Sequence, residues 1–114
     1  MGNETLELIK GSLDVLILKA LSHGPAHGYA VSRWIRRITK DALQVEEGAL
    51  YPALHRLAQR GFIASEWGTS ENNRRARFYR LTARGVKELE RESKAWRLFS
   101  RAMGRVLDAP EETG

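Results

Sequence analysis

Between Thr82 and about Leu107 the chain reads as one uninterrupted helix. Its apolar stripe runs through Val86, Leu89, Trp96, Phe99, Met103 and Val106 in a partly seven-residue rhythm. A stripe of this length has to be covered, and the residues ahead of it build only a small body. Either the helix folds back over its own domain or it meets a second copy of the chain. The second solution is expected, because a two-fold partner buries what the small body cannot. Leu89, Trp96, Phe99, Met103 and Val106 are therefore the candidate interface of a homodimer.

The body itself divides into short elements. Residues 8 to 22 place apolar groups at 9, 13, 16, 17, 20 and 21, near the period of a helix with one buried face, starting at Gly11 or Ser12. The breakers Gly24, Pro25 and Gly28 end it. A second helix is expected from about His27 to Thr39, with Tyr29, Ala30, Trp34, Ile35 and Ile38 inward, followed by a minimal strand at Leu43-Gln44-Val45. A third covers roughly Glu46 to Arg60, its apolar set Ala49, Leu50, Ala53, Leu54 and Leu57, with Gly61 as the stop. Pro52 removes a backbone donor, so either the helix starts near Gly48 or Ala49 or a kink follows. Phe62 to Trp67 and Arg77 to Leu81 alternate like paired strands around a polar tip, making a hairpin. Thr82 lacks a capping box, yet its hydroxyl suits the start of the long helix.

Three helices, a hairpin and a long helix define the expected fold: mainly α with a small β hairpin, a winged helix-turn-helix plus a long C-terminal dimerisation helix. Residues 8–81 form the expected DNA-binding domain, 82–107 the dimerisation helix, and 108–114 a disordered acidic tail.

Charge agrees with a polyanionic partner. The chain holds 19 basic and 14 acidic residues, and three of the latter, Asp108, Glu111 and Glu112, sit in the tail, leaving 11 against 19 in what precedes. Many basic proteins bind no nucleic acid, so this balance alone decides little. There is no cysteine, which excludes disulfides and thiolate metal sites. The opening Met1-Gly2-Asn3-Glu4 and the residues after it have no basic region leading into an apolar run, which argues against a secretory signal. No apolar run is long enough to span a bilayer, and the cytoplasm is the expected location. No cofactor or metal is expected either: His23, His27 and His55 form no ligand motif and read as cap, turn or surface groups. No carboxylate pair or glycine-rich phosphate loop supports catalysis.

In a helix-turn-helix the third helix enters the major groove, with its leading turn nearest the bases. Tyr51, Pro52 and His55 are the candidates for base-edge or methyl contact, with Arg56 and Gln59 further along the polar side. Tyr51 also reads as half-buried core with its hydroxyl at the rim, and Glu47 as a cap or a partner for cytosine. In the hairpin, Arg74, Arg75, Arg77 and Arg80 crowd around Asn72 and Asn73, a cationic tip for phosphates or the minor groove. Arg77 and Tyr79 share one strand face, Phe78 and Arg80 the other. Lys10, Ser32 and Arg36 are backbone candidates from the first two helices.

Three segments, LDVLILKALSHGPAHGYAVSRWI, VEEGALYPALHRLAQRGFIASEW and RRARFYRLTARGVKELERE, stand in an order and spacing that resemble the PadR family of bacterial transcriptional regulators, over about residues 8 to 92. The likeness is to the short subfamily with a single C-terminal helix, found among soil bacteria such as acidobacteria. The resemblance implies a dimeric regulator, generally a repressor, on a palindromic operator of double-stranded DNA. It also implies DNA-facing roles for Tyr51 and Pro52 and a wing for the arginine hairpin. No counterpart of the effector domain of longer relatives is expected. A small aromatic effector between subunits would find stacking surface on Trp34, Trp96 or Phe99. Two further readings of the same fold are a protein-interaction adaptor and a nonspecific architectural DNA-binding protein.

Overall fold

The structure, a computed structural model, describes residues 11–112. Ile9 and Lys10, read above as part of the first helix and as a backbone contact, lie outside those residues.

Helix α1 spans Ser12–Leu21 and opens from Gly11, whose φ of 87° suits a residue without a side chain. Asp14 in its first turn complements the positive end of the helix, and Ile17, Leu18 and Leu21 form its buried side. A two-residue strand β1, Ala26–His27, comes next. Helix α2, Gly28–Ile38, is capped by His27, whose Nδ1 accepts from the Ala30 N–H at 3.1 Å. Gly28, Val31 and Ile35 are its buried residues. The expected inward face was rotated too far, for Tyr29 is 60% exposed and Ile38 also faces water.

The turn into the next helix is tightly hydrogen bonded. Lys40 and Asp41 both take positive φ, and their N–H groups donate to the carbonyls of Arg37 at 3.1 Å and Arg36 at 2.9 Å, so the last carbonyls of α2 are satisfied. Thr39 Oγ1 accepts from the Leu43 N–H at 3.0 Å. Leu43 to Val45 is irregular rather than a strand. The third strand of the sheet is β1, formed by Ala26 and His27 in place of the turn and helix start expected there.

Helix α3, Glu47–Gln59, begins where the Glu46 carbonyl accepts from Ala49 and Leu50 at 3.0 and 2.9 Å. This is earlier than the start expected from Pro52. The donor missing at Pro52 is the one that would have reached the Gly48 carbonyl. Leu50, Ala53, Leu54 and Leu57 are buried, whereas Ala49, assigned to the same face, is exposed. Gly61 ends the helix as expected: at φ 80° its N–H reaches Ala58 and the Phe62 N–H reaches Leu57.

Strands β2, Ile63–Thr69, and β3, Arg75–Leu81, pair antiparallel, with β1 on the other edge of β3 in the order β1-β3-β2. Both reach further toward the tip than expected. The tip is a three-residue loop: the Asn73 N–H donates to the Ser70 carbonyl at 2.9 Å, the Ser70 N–H to the Arg74 carbonyl at 2.8 Å, and Asn73 takes a φ of 58°.

Helix α4, Ala83–Leu107, is rooted against this sheet. Thr82 Oγ1 accepts from the Gly85 N–H at 3.1 Å and donates to the Gly61 carbonyl at 2.6 Å. A side chain at Gly85 would put its Cβ 1.9 Å from the Phe62 carbonyl oxygen. One core holds the body together, built on Ile17, Leu18, Val31, Ile35, Leu50, Leu54 and Leu57. Only the start of α4 joins it, through Leu89. The rest projects, so the molecule is 65 Å long and 22 Å thin.

Candidate nucleic-acid interface

On α3 the exposed residues Gly48, Pro52, His55 and Gln59 recur at the spacing of one helix face, opposite the buried leucines. Gly48 has open space where a Cβ would stand, so the leading turn presents bare backbone. Tyr51 and Arg56 flank this face on opposite sides. Tyr51 leans toward α2 and β3, its ring so close over Gly28 that a Cβ there would lie 2.9 Å from Tyr51 Cε1. Burial, then the Glu47 carboxylate and Tyr79, raise the Tyr51 pKa above the ordinary phenol value, which keeps the hydroxyl a donor. Arg56 points the other way and donates to Asp14 on α1 at 2.5 Å.

The wing stands beside Tyr51. Trp67 lies across from Arg77 in the strand register, and the guanidinium groups of Arg75 and Arg77 sit 4.5 and 5.3 Å from its ring centroid. Between wing and helices opens a cleft of about 350 Å³ bounded by His27, Tyr29, Tyr51 and Trp67, with Arg74, Arg75 and Arg77 along its rim. The structure thus brings Tyr51 and the three wing arginines to one cleft, with Pro52 and His55 on the adjoining helix face. Arg56 and Arg36 stand apart from it: Arg36 Nε donates to Asp41 at 2.9 Å. Ser32 Oγ donates to the Tyr29 carbonyl within α2 at 3.0 Å.

Tyr29 and Trp67 belong to this cleft without any local sequence signal. Trp67 stands at the expected end of its strand, and its partnership with two arginines comes from a register that the sequence does not display. Trp34 packs near His23, ring centroids 5.3 Å apart, beside a different cavity from the one that Trp96 lines.

Behind α3, three carboxylates meet where α1 crosses α4. Glu88 is buried and paired by Arg91, Nη2 to Oε2 at 2.5 Å and Nε to Oε1 at 2.9 Å, which holds its carboxyl below the usual range. Burial, together with the neighbouring Glu88 and Asp14, pushes Glu92 up to about 7. Near neutral pH Glu92 is therefore the member of the pair that is still partly protonated, while Glu88 is ionised.

On α4, Trp96 and Phe99 are neighbours, centroids 6.1 Å apart, and are 39% and 53% exposed, while Met103 and Val106 also face solvent. No helix among the described residues is long and apolar enough to cross a membrane, and no cluster of residues among them could hold a metal.

Three helices, a small sheet with a basic hairpin, and an exposed helix face beside it define a winged helix-turn-helix protein of the DNA-binding kind. The profile described as the transcriptional regulator PadR-like family matches residues 17–91, and the chain belongs to that family of non-enzymatic regulators. Its fold is similar to that of a transcriptional regulator from Clostridium thermocellum, with a TM-score of 0.77 and 33% identity over 85% of this chain and 94% of that one. A PadR family transcriptional regulator from Eggerthella lenta gives a TM-score of 0.73 at 29% identity, covering 89% and 86%. In sequence, the chain is 29% identical over 90 residues to an uncharacterized protein of Lysinibacillus sphaericus, covering 79% of this chain and 83% of that protein.

Proposed function

We propose that the chain is a cytoplasmic homodimeric repressor that recognises a palindromic operator, each subunit laying α3 in the major groove and the wing along the adjoining backbone. The observation that carries this reading is the shared cleft: Tyr51 of α3 and Arg74, Arg75 and Arg77 of the wing face one space. Pro52 and His55 then meet base edges, while the arginines meet phosphates. Arg56 acts from behind, tying α3 to α1 through Asp14, and Arg36 and Ser32 shape the end and start of α2.

Dimerisation is supported by α4. Between α1 and α4 lies a groove of about 930 Å³ walled by Val15, Leu16, Leu43, Leu89, Trp96 and Leu98, and the exposed Phe99, Met103 and Val106 offer a matching apolar edge for the same groove on a second copy. An aromatic effector would enter at this interface beside Trp96, without Trp34.

Selection of genomic fragments at physiological salt tests the reading. The expected result is a set of symmetric sites whose halves lie one helical turn, about 34 Å, apart, with binding that falls steeply as salt rises. Binding without preference for any fragment would indicate an architectural protein, and negligible binding at low salt an adaptor; either defeats the proposal.

A further inference from the structure

Trp67 of the wing is 55% exposed although two arginines lie close to its ring. Its ring carries two guanidinium groups, Arg75 and Arg77, and Arg77 is fixed further by donating its Nε–H to Ser65 Oγ at 3.0 Å. The ion pairs among the described residues involve Arg36, Arg56 and Arg91 and neither of these two. Strand alternation sets Glu66 on the opposite face from Arg75 and Arg77. A guanidinium held over an indole keeps its in-plane N–H groups, which match phosphate oxygens, for another partner, save the Nε–H that Arg77 gives to Ser65.

A tryptophan that served only to pair the two strands would not need both arginines, nor would it need to face a cleft. The hairpin already has a seven-residue ladder and a hydrogen-bonded tip. Trp67 looks instead across the cleft to Tyr29 and Tyr51, and Tyr29 in turn carries Arg33 over its ring at 5.5 Å. Two of the aromatic rings that line this groove, Trp67 and Tyr29, therefore have guanidinium groups close over them.

We infer that Trp67 is a DNA-contacting residue of the wing. It lays its indole against the sugar-phosphate backbone beside the half-site and holds Arg75 and Arg77 ready for neighbouring phosphates. Arginine side chains ordered before binding lose less freedom on contact, so the tryptophan raises affinity for every sequence alike. This inference rests on the DNA-binding reading and adds the residue that organises the wing's cations.

The test uses the full chain and a labelled mixed-sequence duplex at low salt, reading duplex anisotropy and tryptophan emission together. On saturation the wild-type emission shifts to shorter wavelength as the exposed indole leaves water. Trp67→Phe, which keeps a ring for the arginines, binds within about threefold of wild type but loses most of that shift. Trp67→Thr keeps a strand-forming side chain and binds about tenfold more weakly. An undiminished shift in Trp67→Phe, or wild-type affinity in Trp67→Thr, overturns the inference while leaving DNA binding intact. If Trp67→Thr melts below the assay temperature, the emission of Trp67→Phe decides alone. A wild-type chain that ignores the duplex defeats the DNA-binding reading itself.

Discussion

At the scale of single residues, Gly28 shows how a side chain is aimed by what another lacks. The Tyr51 ring occupies the space that a Cβ at position 28 would take, and that contact tips the ring toward the wing. Because the obstacle is a movable ring and not backbone, Gly28→Ala should leave the melting temperature within a few degrees of wild type and lower DNA affinity about tenfold. Unchanged affinity in an anisotropy titration would show that the position of Tyr51 is immaterial. The sequence displayed Tyr51, Pro52 and the wing arginines plainly, since polar residues opposite a leucine face and clustered cations are local signals. It could not show which cations are already occupied. Arg56 pairs with an aspartate 42 positions away, a distance over which spacing carries no information, and Tyr29 was turned inward because one short helix admits more than one apolar face.

The elements were legible where they obey their own periodicity and less so where neighbours decide. The stop at Gly61 and the cap at Thr82 follow from local chemistry and stand as expected. Strand β1 does not: two residues pair there only because β3 offers an open edge. At the root of α4, Gly85 abuts a carbonyl that cannot move aside. Gly85→Ala should therefore cost about 3 kcal/mol of stability, seen in chemical denaturation; a cost near zero would mean that the root can slide. Where α1 crosses α4, Glu92 has a folded pKa of about 7 against an ordinary 4.5. Below 4.5 both states are protonated and Glu92 has no effect. As pH rises toward 7 the unfolded chain ionises first, so the folded state loses stability until that pH is passed. Glu88 works in the opposite sense, but in the acid range. Glu92→Gln should thus be more stable than wild type at pH 8, by on the order of 1 kcal/mol after solvent screening, and the advantage should vanish at pH 4. Parallel melting curves across that range would refute the assignment.

For the whole molecule, the central question is what covers α4. Val106 is 72% exposed, and Leu98, Phe99 and Met103 also keep much of their surface in solvent. Trp96→Ala should raise the dimer dissociation constant at least tenfold in sedimentation over a dilution series. Operator affinity should fall in step, without any change of preferred sequence; an undisturbed dimer would place the contact elsewhere. The length of the terminal helix was evident in the sequence, because its stripe continues past anything the domain can cover. The firmness of its attachment was not, for it depends on Thr82, Gly85 and the Phe62 carbonyl meeting at one point. That attachment makes α4 a rigid lever about 37 Å long. In the proposed dimer of two such levers, a small molecule bound at their crossing would not need to touch the DNA-reading helices at all. Turning one lever by roughly 5° carries its far end about 3 Å, close to the rise of one base pair, enough to put two reading heads out of step with the grooves they share.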